Sequence, residues 1–250
     1  MQTVERFSNR VENYVKYRPI YPKEILDLFR REMGLQDSSV IADIGSGTGI
    51  STKFFLEKGN PVIGVEPNAA MREAAENFLK DFPNFKSVAG TSENTGLDDK
   101  SVDFVVAAQA FHWFDKAKAR EEFRRILREK GFTVLIWNER QLDSNEFLRE
   151  YERFLCEFGM DYHQVRHDNV SDDILKEFFQ NKFQRAVFQN SQILDFEGLK
   201  GRVLSSSYMP TPENPRFEEM VENLKDLFNR YEKDNRIEII YDTNVYYGQF

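Results

Sequence analysis

The sequence is poor in cysteine and histidine. Its 250 residues include one cysteine, Cys156, and three histidines. A single cysteine excludes an internal disulfide and a cysteine-based metal cluster, and the histidines lack the spacing of a metal site. We therefore expect no bound metal, and we expect a reducing, cytoplasmic location.

The sequence also lacks an excess of positive charge and long apolar runs. Lysine and arginine number 34 against 42 aspartates and glutamates, which gives a net charge of −8. An acidic chain repels phosphate backbones, so this charge disfavours nucleic acid and anionic membranes as partners. No apolar run is long enough to span a membrane, and no signal-peptide pattern opens the sequence. The 23 phenylalanines predict an aromatic-rich core or pocket.

From residue 40 onwards, short apolar runs alternate with helical patterns. Strands are predicted at 40–44, 61–66, 85–89, 101–108 and 132–138. A helix capped by Asp115 is expected to continue until Gly131 stops it. Five strands alternating with helices within about a hundred residues imply right-handed βαβ units and a parallel sheet covered on both faces. The predicted fold class is α/β, a Rossmann-like doubly wound sheet.

The pattern changes after residue 140. Four helical stretches are predicted near 144–158, 171–181, 196–206 and 215–232, and strand-like segments at 183–188 and 236–249. We interpret this half as the last strands of the same sheet with helices inserted between them. The expected organisation is one domain, with an N-terminal lid and helix (1–34), a cofactor-binding core (40–140) and a substrate side (141–250).

The stretch VIADIGSGTG (40–49) is the most informative part of the chain. It leads from a strand through Gly45, Gly47 and Gly49 into a helix. Glycine permits unusual backbone angles and a close approach of ligand to main chain. In a doubly wound sheet this loop lies at the carboxyl edge, where ligands bind. Glu66 ends the second strand, where an acid accepts hydrogen bonds from ribose hydroxyls, so the pattern predicts an adenosine-containing cofactor.

The glycine spacing favours one class of cofactor over another. The dinucleotide fingerprint GxGxxG is one residue longer than the run found here. Asp43 also precedes the loop, and its carboxylate would repel a pyrophosphate but suit an ammonium or sulfonium group. This spacing argues against a nicotinamide-dependent oxidoreductase.

Five motifs in order resemble those of class I S-adenosylmethionine-dependent methyltransferases. They are DIGSGTG (43–49), GVEPN (64–68), GTSEN (90–94), SVDFVVAAQAFHWFD (101–115) and RRILREKGFTVLIW (124–137). The small-molecule branch, which includes trans-aconitate and ubiquinone-type methyltransferases, is the most similar. The resemblance implies a mostly parallel seven-stranded sheet with an antiparallel terminal strand, S-adenosyl-L-methionine as cofactor, and a small-molecule acceptor.

The resemblance also assigns cofactor contacts to positions of this sequence. The methionine part of the cofactor would be lined by Asp43, Gly45, Ser46, Gly47, Thr48 and Gly49. Glu66 would hold the ribose, and Pro67 and Met71 would pack on adenine. The edge of the adenine ring would meet Thr91, Ser92 and Glu93. Many relatives have aspartate where this chain has Thr91. Gln109 and Phe111 would lie beneath the sulfonium.

The acceptor side is predicted from position and residue type. His112 follows the fourth strand, where substrate should meet the methyl group, and is the candidate catalytic residue, as a base or as an orienting group. The stretch ENYVKYRPIYP (12–22) is predicted to fold over the cofactor, where Arg18 could meet a carboxylate. Further substrate contacts are expected from Tyr14, Tyr17, Tyr21, Trp113 and Tyr208. A tRNA or protein methyltransferase and a non-catalytic S-adenosylmethionine-binding protein remain alternatives; the oligomeric state is open.

Overall fold

A computed structural model describes residues 16–162 and 170–250. The predicted substrate contact of Tyr14 lies outside these residues. The sheet consists of β1 (Ile41–Ile44), β2 (Val62–Val65), β3 (Phe85–Val88), β4 (Val102–Ala108), β5 (Leu127–Arg140), β6 (Phe183–Leu194) and β7 (Ile237–Gly248). The helices are α1 (Glu24–Met33), α2 (Ile50–Leu56), α3 (Ala69–Phe78), α4 (Lys116–Ile126), α5 (Glu146–Phe158), α6 (Asp172–Phe179), α7 (Phe196–Leu204) and α8 (Phe217–Tyr231). A short 3₁₀ helix covers Phe111–Trp113.

The strands form one sheet in the order β3-β2-β1-β4-β5-β7-β6. The first five strands run parallel, and β7 pairs antiparallel with both β5 and β6. The predicted α/β class, with a mostly parallel seven-stranded sheet that becomes antiparallel at its end, is confirmed. The strand order reverses direction at β1 and β4, and ligands of doubly wound sheets bind at the carboxyl ends of strands beside such a reversal.

Apolar side chains cover both faces of the sheet. On one face, Phe29 of α1 and Phe55 of α2 pack at ring-centroid distances of 5.2 Å from each other, and Phe29 lies 5.6 Å from Phe104. On the other face, Phe123 of α4 and Phe178 of α6 are buried in a second cluster. A third cluster lies among α5, α7 and α8. Burial of each such ring stabilises the fold by about 2–3 kcal/mol. This packing holds the strands of the sheet, and therefore their ends, in fixed positions.

Two element boundaries differ from the sequence prediction. Helix α4 ends at Ile126 rather than near Gly131, because Leu127 already pairs with Val102 as the first residue of β5. A register shift between Val102 and Phe104 takes up the extra residues of β5. Strand β6 continues to Leu194, well beyond the predicted end at 188, because β7 offers it a partner as far as Ile237. Long-range pairing therefore overrides local sequence signals at both places.

No helix of the described ranges is long and apolar enough to cross a membrane. Within these ranges, no group of three or more histidine, cysteine, aspartate or glutamate side chains is placed to hold a metal ion.

Candidate functional site

A cavity of about 790 Å³ opens at the carboxyl edge of the sheet. One side, the glycine-loop half, is lined by residues 45–48, 66–68 and 91–93. The other side, the arginine half, is lined by Arg18, Arg140, Arg185, Arg202, Tyr162, Tyr208, Tyr241 and Tyr246. Ligand cavities of small-molecule enzymes have volumes in this range. The cavity therefore has the size of a small-molecule binding site.

The structure brings most of the predicted site residues to this cavity. Its wall includes Gly45, Ser46, Gly47, Thr48, Glu66, Pro67, Met71, Thr91, Ser92, Glu93, Gln109, His112, Trp113, Arg18, Tyr21 and Tyr208. Four other predicted residues, Asp43, Gly49, Phe111 and Tyr17, do not line it.

The glycine loop has the backbone that its sequence predicts. Gly45 and Gly47 have φ angles of 70° and 55°, in the left-handed region that favours glycine. A Cβ atom on Gly45 would lie 2.6 Å from the Cβ of Ala110, so the loop approaches the end of β4 too closely for any side chain. A Cβ on Gly47 would meet nothing within 4 Å. The loop thus packs tightly on its protein side and leaves open space beside Gly47.

Asp43 lies beneath this loop and not on the cavity wall. Its side chain is fully buried, and Oδ2 accepts hydrogen bonds of 2.7 Å from Ser51 Oγ and Thr52 Oγ1 at the start of α2. Oδ1 is buried and has no hydrogen-bond partner among residues 16–162 and 170–250. Burial raises the pKa of Asp43 to about 6, although the two hydroxyl hydrogen bonds act in the opposite direction. Asp43 was expected to line the cofactor directly. The structure instead places it beneath the glycine loop, where it holds the start of α2.

Glu66 joins the end of β2 to the glycine loop. Its Oε2 accepts a hydrogen bond from the backbone N–H of Gly47 (3.0 Å), and Oε1 accepts one from Asn68 N–H (2.9 Å). Burial raises the pKa of Glu66 above its usual value, while these two backbone hydrogen bonds lower it. A carboxylate offers about four lone-pair directions, so Glu66 can accept further hydrogen bonds from a ligand in the cavity.

The loop after β3 is held in place by a short hydrogen-bond network. Thr91 Oγ1 accepts hydrogen bonds from the backbone N–H groups of Glu93 (3.3 Å) and Asn94 (3.2 Å). Glu93 Oε1 accepts hydrogen bonds from Ser92 Oγ (2.6 Å) and from the backbone N–H of Asp115 (2.9 Å). The Thr91 hydroxyl therefore stabilises a turn. Ser92 and Glu93 tie this turn to the start of α4.

Glu122 anchors the same region, a role that the sequence did not indicate. It belongs to α4, a helix rich in charged residues, yet its side chain is buried. Glu122 Oε1 accepts hydrogen bonds from Thr95 N–H (2.8 Å) and Thr95 Oγ1 (2.5 Å). The hydrogen bond from Arg125 is the main cause that lowers the pKa of Glu122 to about 2. The pair therefore fixes residue 95 and the loop that precedes it.

The end of β4 carries a strained residue that faces the cavity. Gln109 has a φ angle of 60°, which is uncommon for a residue with a side chain. Its Nε2 donates to the carbonyl oxygen of Asn138 (3.3 Å), whereas Oε1 is buried without a hydrogen-bond partner in the described part of the chain. Strained backbone is frequent at functional sites, and among the described non-glycine residues with a positive φ, Gln109 is the one that lines the cavity.

The residues after Gln109 divide between cavity and core. His112 and Trp113 line the cavity, with ring centroids 4.7 Å apart. Phe111 instead is fully buried, with its ring 4.6 Å from that of Phe178. Phe111 was expected to lie beneath a sulfonium, but the structure places its ring in the core. The 3₁₀ turn directs the ring towards α6 and away from the cavity.

Residues 17–20 are joined by hydrogen bonds to the elements that form the arginine half of the cavity. Arg18 Nη2 donates to the carbonyl oxygen of Ser205 (3.0 Å), which joins the segment to the end of α7. Asn190 Nδ2 donates to the carbonyl of Ile20 (2.8 Å), and Gln192 Nε2 to that of Tyr17 (3.1 Å). Tyr17 itself packs against Gly201 and not on the cavity wall.

Sequence reasoning missed several residues of the arginine half. Arg140, Arg185 and Arg202 lie in β5, β6 and α7, elements whose local patterns indicate only a strand or a helix. The tyrosine-rich tail, which contributes Tyr241 and Tyr246, was the one available signal. Only the antiparallel pairing of β6 and β7 beside β5 brings these side chains to the cavity, with Arg140 and Tyr241 on one face of the sheet and Arg185 and Tyr246 on the other.

Known proteins resemble this chain in sequence. A family model described as "Methyltransferase domain" matches residues 42–135. An uncharacterized methyltransferase of Mycobacterium tuberculosis is 37% identical over 134 residues, which cover 54% of this chain and 52% of that protein. The chain thus matches about half the length of that relative. An uncharacterized methyltransferase of Geobacillus is 30% identical over 154 residues, which cover 59% of this chain and 69% of that protein.

Solved structures share the fold. A putative type II methyltransferase from Anaeromyxobacter dehalogenans superposes with a TM-score of 0.69 at 18% identity, covering 93% of this chain and 98% of the other. A geranyl diphosphate methyltransferase in complex with S-adenosylmethionine superposes with a TM-score of 0.51 at 14% identity, covering 91% and 85%. The chain belongs to the methyltransferase family of these relatives.

Proposed function

We propose that this protein binds S-adenosyl-L-methionine in the glycine-loop half of the cavity and transfers its methyl group to a small molecule in the arginine half. The observation that carries the proposal is the division of one cavity between these two walls. The first wall offers glycine backbone and a ribose-type carboxylate, and the second offers cationic and phenolic side chains.

The residues of the glycine-loop half fit this cofactor. The open space beside Gly47 allows a ligand to contact the backbone, and Glu66 can accept hydrogen bonds from two ribose hydroxyls. Met71 is an apolar residue of the wall suited to an adenine face. Thr48 Oγ1 and Gln109 Oε1 are buried polar atoms without a hydrogen-bond partner among the described residues. Buried polar atoms are normally paired, so a polar ligand would satisfy these two.

The anionic surroundings suit a sulfonium rather than a pyrophosphate. Asp43 and Glu66 bring two carboxylates to the loop, and Coulomb attraction from Asp43 does not require direct contact. When bound, S-adenosylmethionine supplies an activated methyl group that an acceptor atom displaces in line. The protein's own work is alignment and exclusion of water, and the segment around Arg18 and Tyr21 covers the cavity for this purpose.

His112 belongs to the 3₁₀ turn that follows β4 and lines the cavity. We propose that His112 accepts a proton from the acceptor or orients it for attack.

Isothermal titration with S-adenosylhomocysteine tests the cofactor assignment. Glu66→Gln keeps the size of the side chain and removes its charge. Loss of charge-assisted hydrogen bonds should raise the Kd for S-adenosylhomocysteine about 10- to 100-fold. Glu73→Gln is the matched control, since Glu73 is an exposed glutamate in the neighbouring helix α3. Equal affinities of the two variants would contradict the assigned role of Glu66.

A further inference from the structure

The arginine half contains a guanidinium whose partners are all neutral. Arg202 of α7 donates from Nε to the Tyr241 hydroxyl (3.4 Å) and from Nη1 to Ser206 Oγ (3.1 Å). Across the described ranges, no carboxylate oxygen lies within 4 Å of this guanidinium. The side chain nevertheless lines the cavity and is largely withdrawn from solvent.

The other arginines of this wall are held differently. Arg140 is ion-paired with Glu152 and also donates to the Tyr162 hydroxyl (3.0 Å). Arg185 also has a neutral partner, because its Nε and Nη2 both donate to Asn244 Oδ1 (3.0 and 2.7 Å), but this side chain is exposed. Arg202 therefore differs from Arg140 in having no counter-charge among its partners and from Arg185 in being half-buried.

The acidic residues of the cavity lie away from Arg202. Glu66 and Glu93 belong to the glycine-loop half and already accept backbone hydrogen bonds. Glu139 and Asp172 act electrostatically on Tyr246, together with Arg185. Tyr241 and Tyr246 point to opposite faces of β7, since they are five residues apart in a strand. The environment of Arg202 thus keeps a positive charge that an incoming ligand can neutralise.

A half-buried cation without a counter-charge has lost part of its hydration without gaining an ion pair. Removing an ion from water costs several kcal/mol, and a paired and hydrogen-bonded counter-ion offsets that cost. Tyr208 lies near Arg202 and lines the same cavity, so its hydroxyl can donate a hydrogen bond to the same ligand. The Tyr241 hydroxyl already donates to Gln192 Oε1 (3.0 Å) and holds Arg202 in place. Resting on the proposed function, we infer that the methyl acceptor carries a carboxylate, which Arg202 binds with support from Tyr208.

This carboxylate anchors the acceptor at a distance from the reacting atom. Tyr241, which contacts Arg202, lies in β7, and Gln109 follows β4. These strands are separated by β5, so they lie two strand spacings, roughly 10 Å, apart. A carboxylate paired with a guanidinium is also a weakened nucleophile. The acceptor therefore has its carboxylate at one end and its nucleophilic atom at the other.

Calorimetric titration of the protein saturated with S-adenosylhomocysteine tests this inference. The probes are succinate, 4-hydroxyphenylacetate and 4-hydroxycinnamate, each beside its neutral amide. At least one carboxylate should bind with a Kd tenfold or more below that of its amide. Arg202→Gln should raise that Kd about 10- to 100-fold, and Arg202→Lys should restore part of the affinity. Lys200→Gln, which removes a positive charge of the same helix outside the cavity, should leave it unchanged.

The outcomes separate this inference from the proposed function. Suppose first that S-adenosylhomocysteine binds. The inference is then overturned if the carboxylates bind no more tightly than their amides, or if they bind Arg202→Gln as tightly as the wild type. Failure of S-adenosylhomocysteine to bind the wild type would refute the proposed function, and the same probes titrated into the empty protein would then still test Arg202.

Thermal unfolding of the empty protein provides a measurement that needs no acceptor. Arg202→Met removes an unneutralised charge, so its Tm should equal or exceed that of the wild type. Arg140→Met removes the cation that is paired with Glu152, so its Tm should fall by several degrees. A decrease for Arg202→Met as large as that for Arg140→Met would show that Arg202 is a structural residue and would overturn the inference.

Discussion

Replacing Gly47 by alanine separates the stability of the glycine loop from its proposed contact with ligand. The φ angle of 55° makes any side chain at this position unfavourable by about 1–2 kcal/mol. The lower entropy of the unfolded alanine variant offsets about 0.4–1 kcal/mol of this cost. The added methyl group itself meets no protein atom within 4 Å. The free energy of unfolding should therefore fall by only about 1 kcal/mol, or about 2–4 °C in Tm for a chain of this size.

The affinity for cofactor should change much more than the stability. Gly47 lines the cavity, so the methyl group of Gly47→Ala would occupy space that we assign to the cofactor. We expect the Kd for S-adenosylhomocysteine to rise at least tenfold. Gly34→Ala is the matched control, because Gly34 has a φ of 70° and equally open surroundings but ends α1 outside the cavity. It should lose a similar amount of stability and bind S-adenosylhomocysteine normally.

A third variant tests the packed side of the loop. The methyl group of Gly45→Ala would lie 2.6 Å from Ala110 Cβ, which cannot rotate away. Overpacking of this kind costs about 1–3 kcal/mol in addition to the backbone strain. Thermal unfolding should thus rank Gly45→Ala as the least stable of the three. Wild-type affinity in Gly47→Ala would refute the reasoning, since the loop would then not touch the cofactor.

Three further predictions concern titratable groups. The folded pKa of Asp43 is about 6, above its unfolded value, so the free energy of unfolding should fall by up to about 3 kcal/mol as pH rises from 4 to 7. Asp43→Asn should flatten this part of the Tm–pH curve. An unchanged slope in the variant would show that another group causes the pH dependence. Because the pKa of Glu122 is lowered to about 2, the stability that its ionised form contributes is present above pH 5 and lost towards pH 2. In urea unfolding, Glu122→Gln should lower the free energy of unfolding by about 1–3 kcal/mol at pH 7 and by much less near pH 2. An equal loss at both pH values would contradict the ion pair with Arg125. His112→Gln should lower kcat at least about a hundredfold if the imidazole takes the acceptor's proton, and a loss below threefold would exclude that role.

The fold of residues 40–140 could be predicted because the sequence patterns that determine it are local. The glycine run, the acid at the end of β2 and the alternation of apolar strands with capped helices each depend on neighbouring residues. Asp115, for example, caps α4 as predicted, and Asn68 caps α3 in the same way. The backbone angles of Gly45 and Gly47 likewise follow from residue type.

The arginine half could not be predicted because pairing of distant strands assembles it. Arg140 and Tyr241 are paired across β5 and β7, although about a hundred residues separate them in the chain. Asn138 likewise joins Thr243, Asn190 and Ile20 by hydrogen bonds. The prediction that Phe111 lies beneath the sulfonium is wrong for a related reason. The motif shows that Phe111 follows β4, but the 3₁₀ turn determines which of these side chains faces the cavity.

The most direct test of the central claim is a competition titration of the wild-type protein. S-adenosylhomocysteine and NADH are titrated separately by calorimetry, and each is then titrated in the presence of the other. The account predicts saturable one-to-one binding of S-adenosylhomocysteine, no binding of NADH, and weaker binding of S-adenosylhomocysteine to Gly47→Ala. Tight binding of NADH without binding of S-adenosylhomocysteine would contradict it.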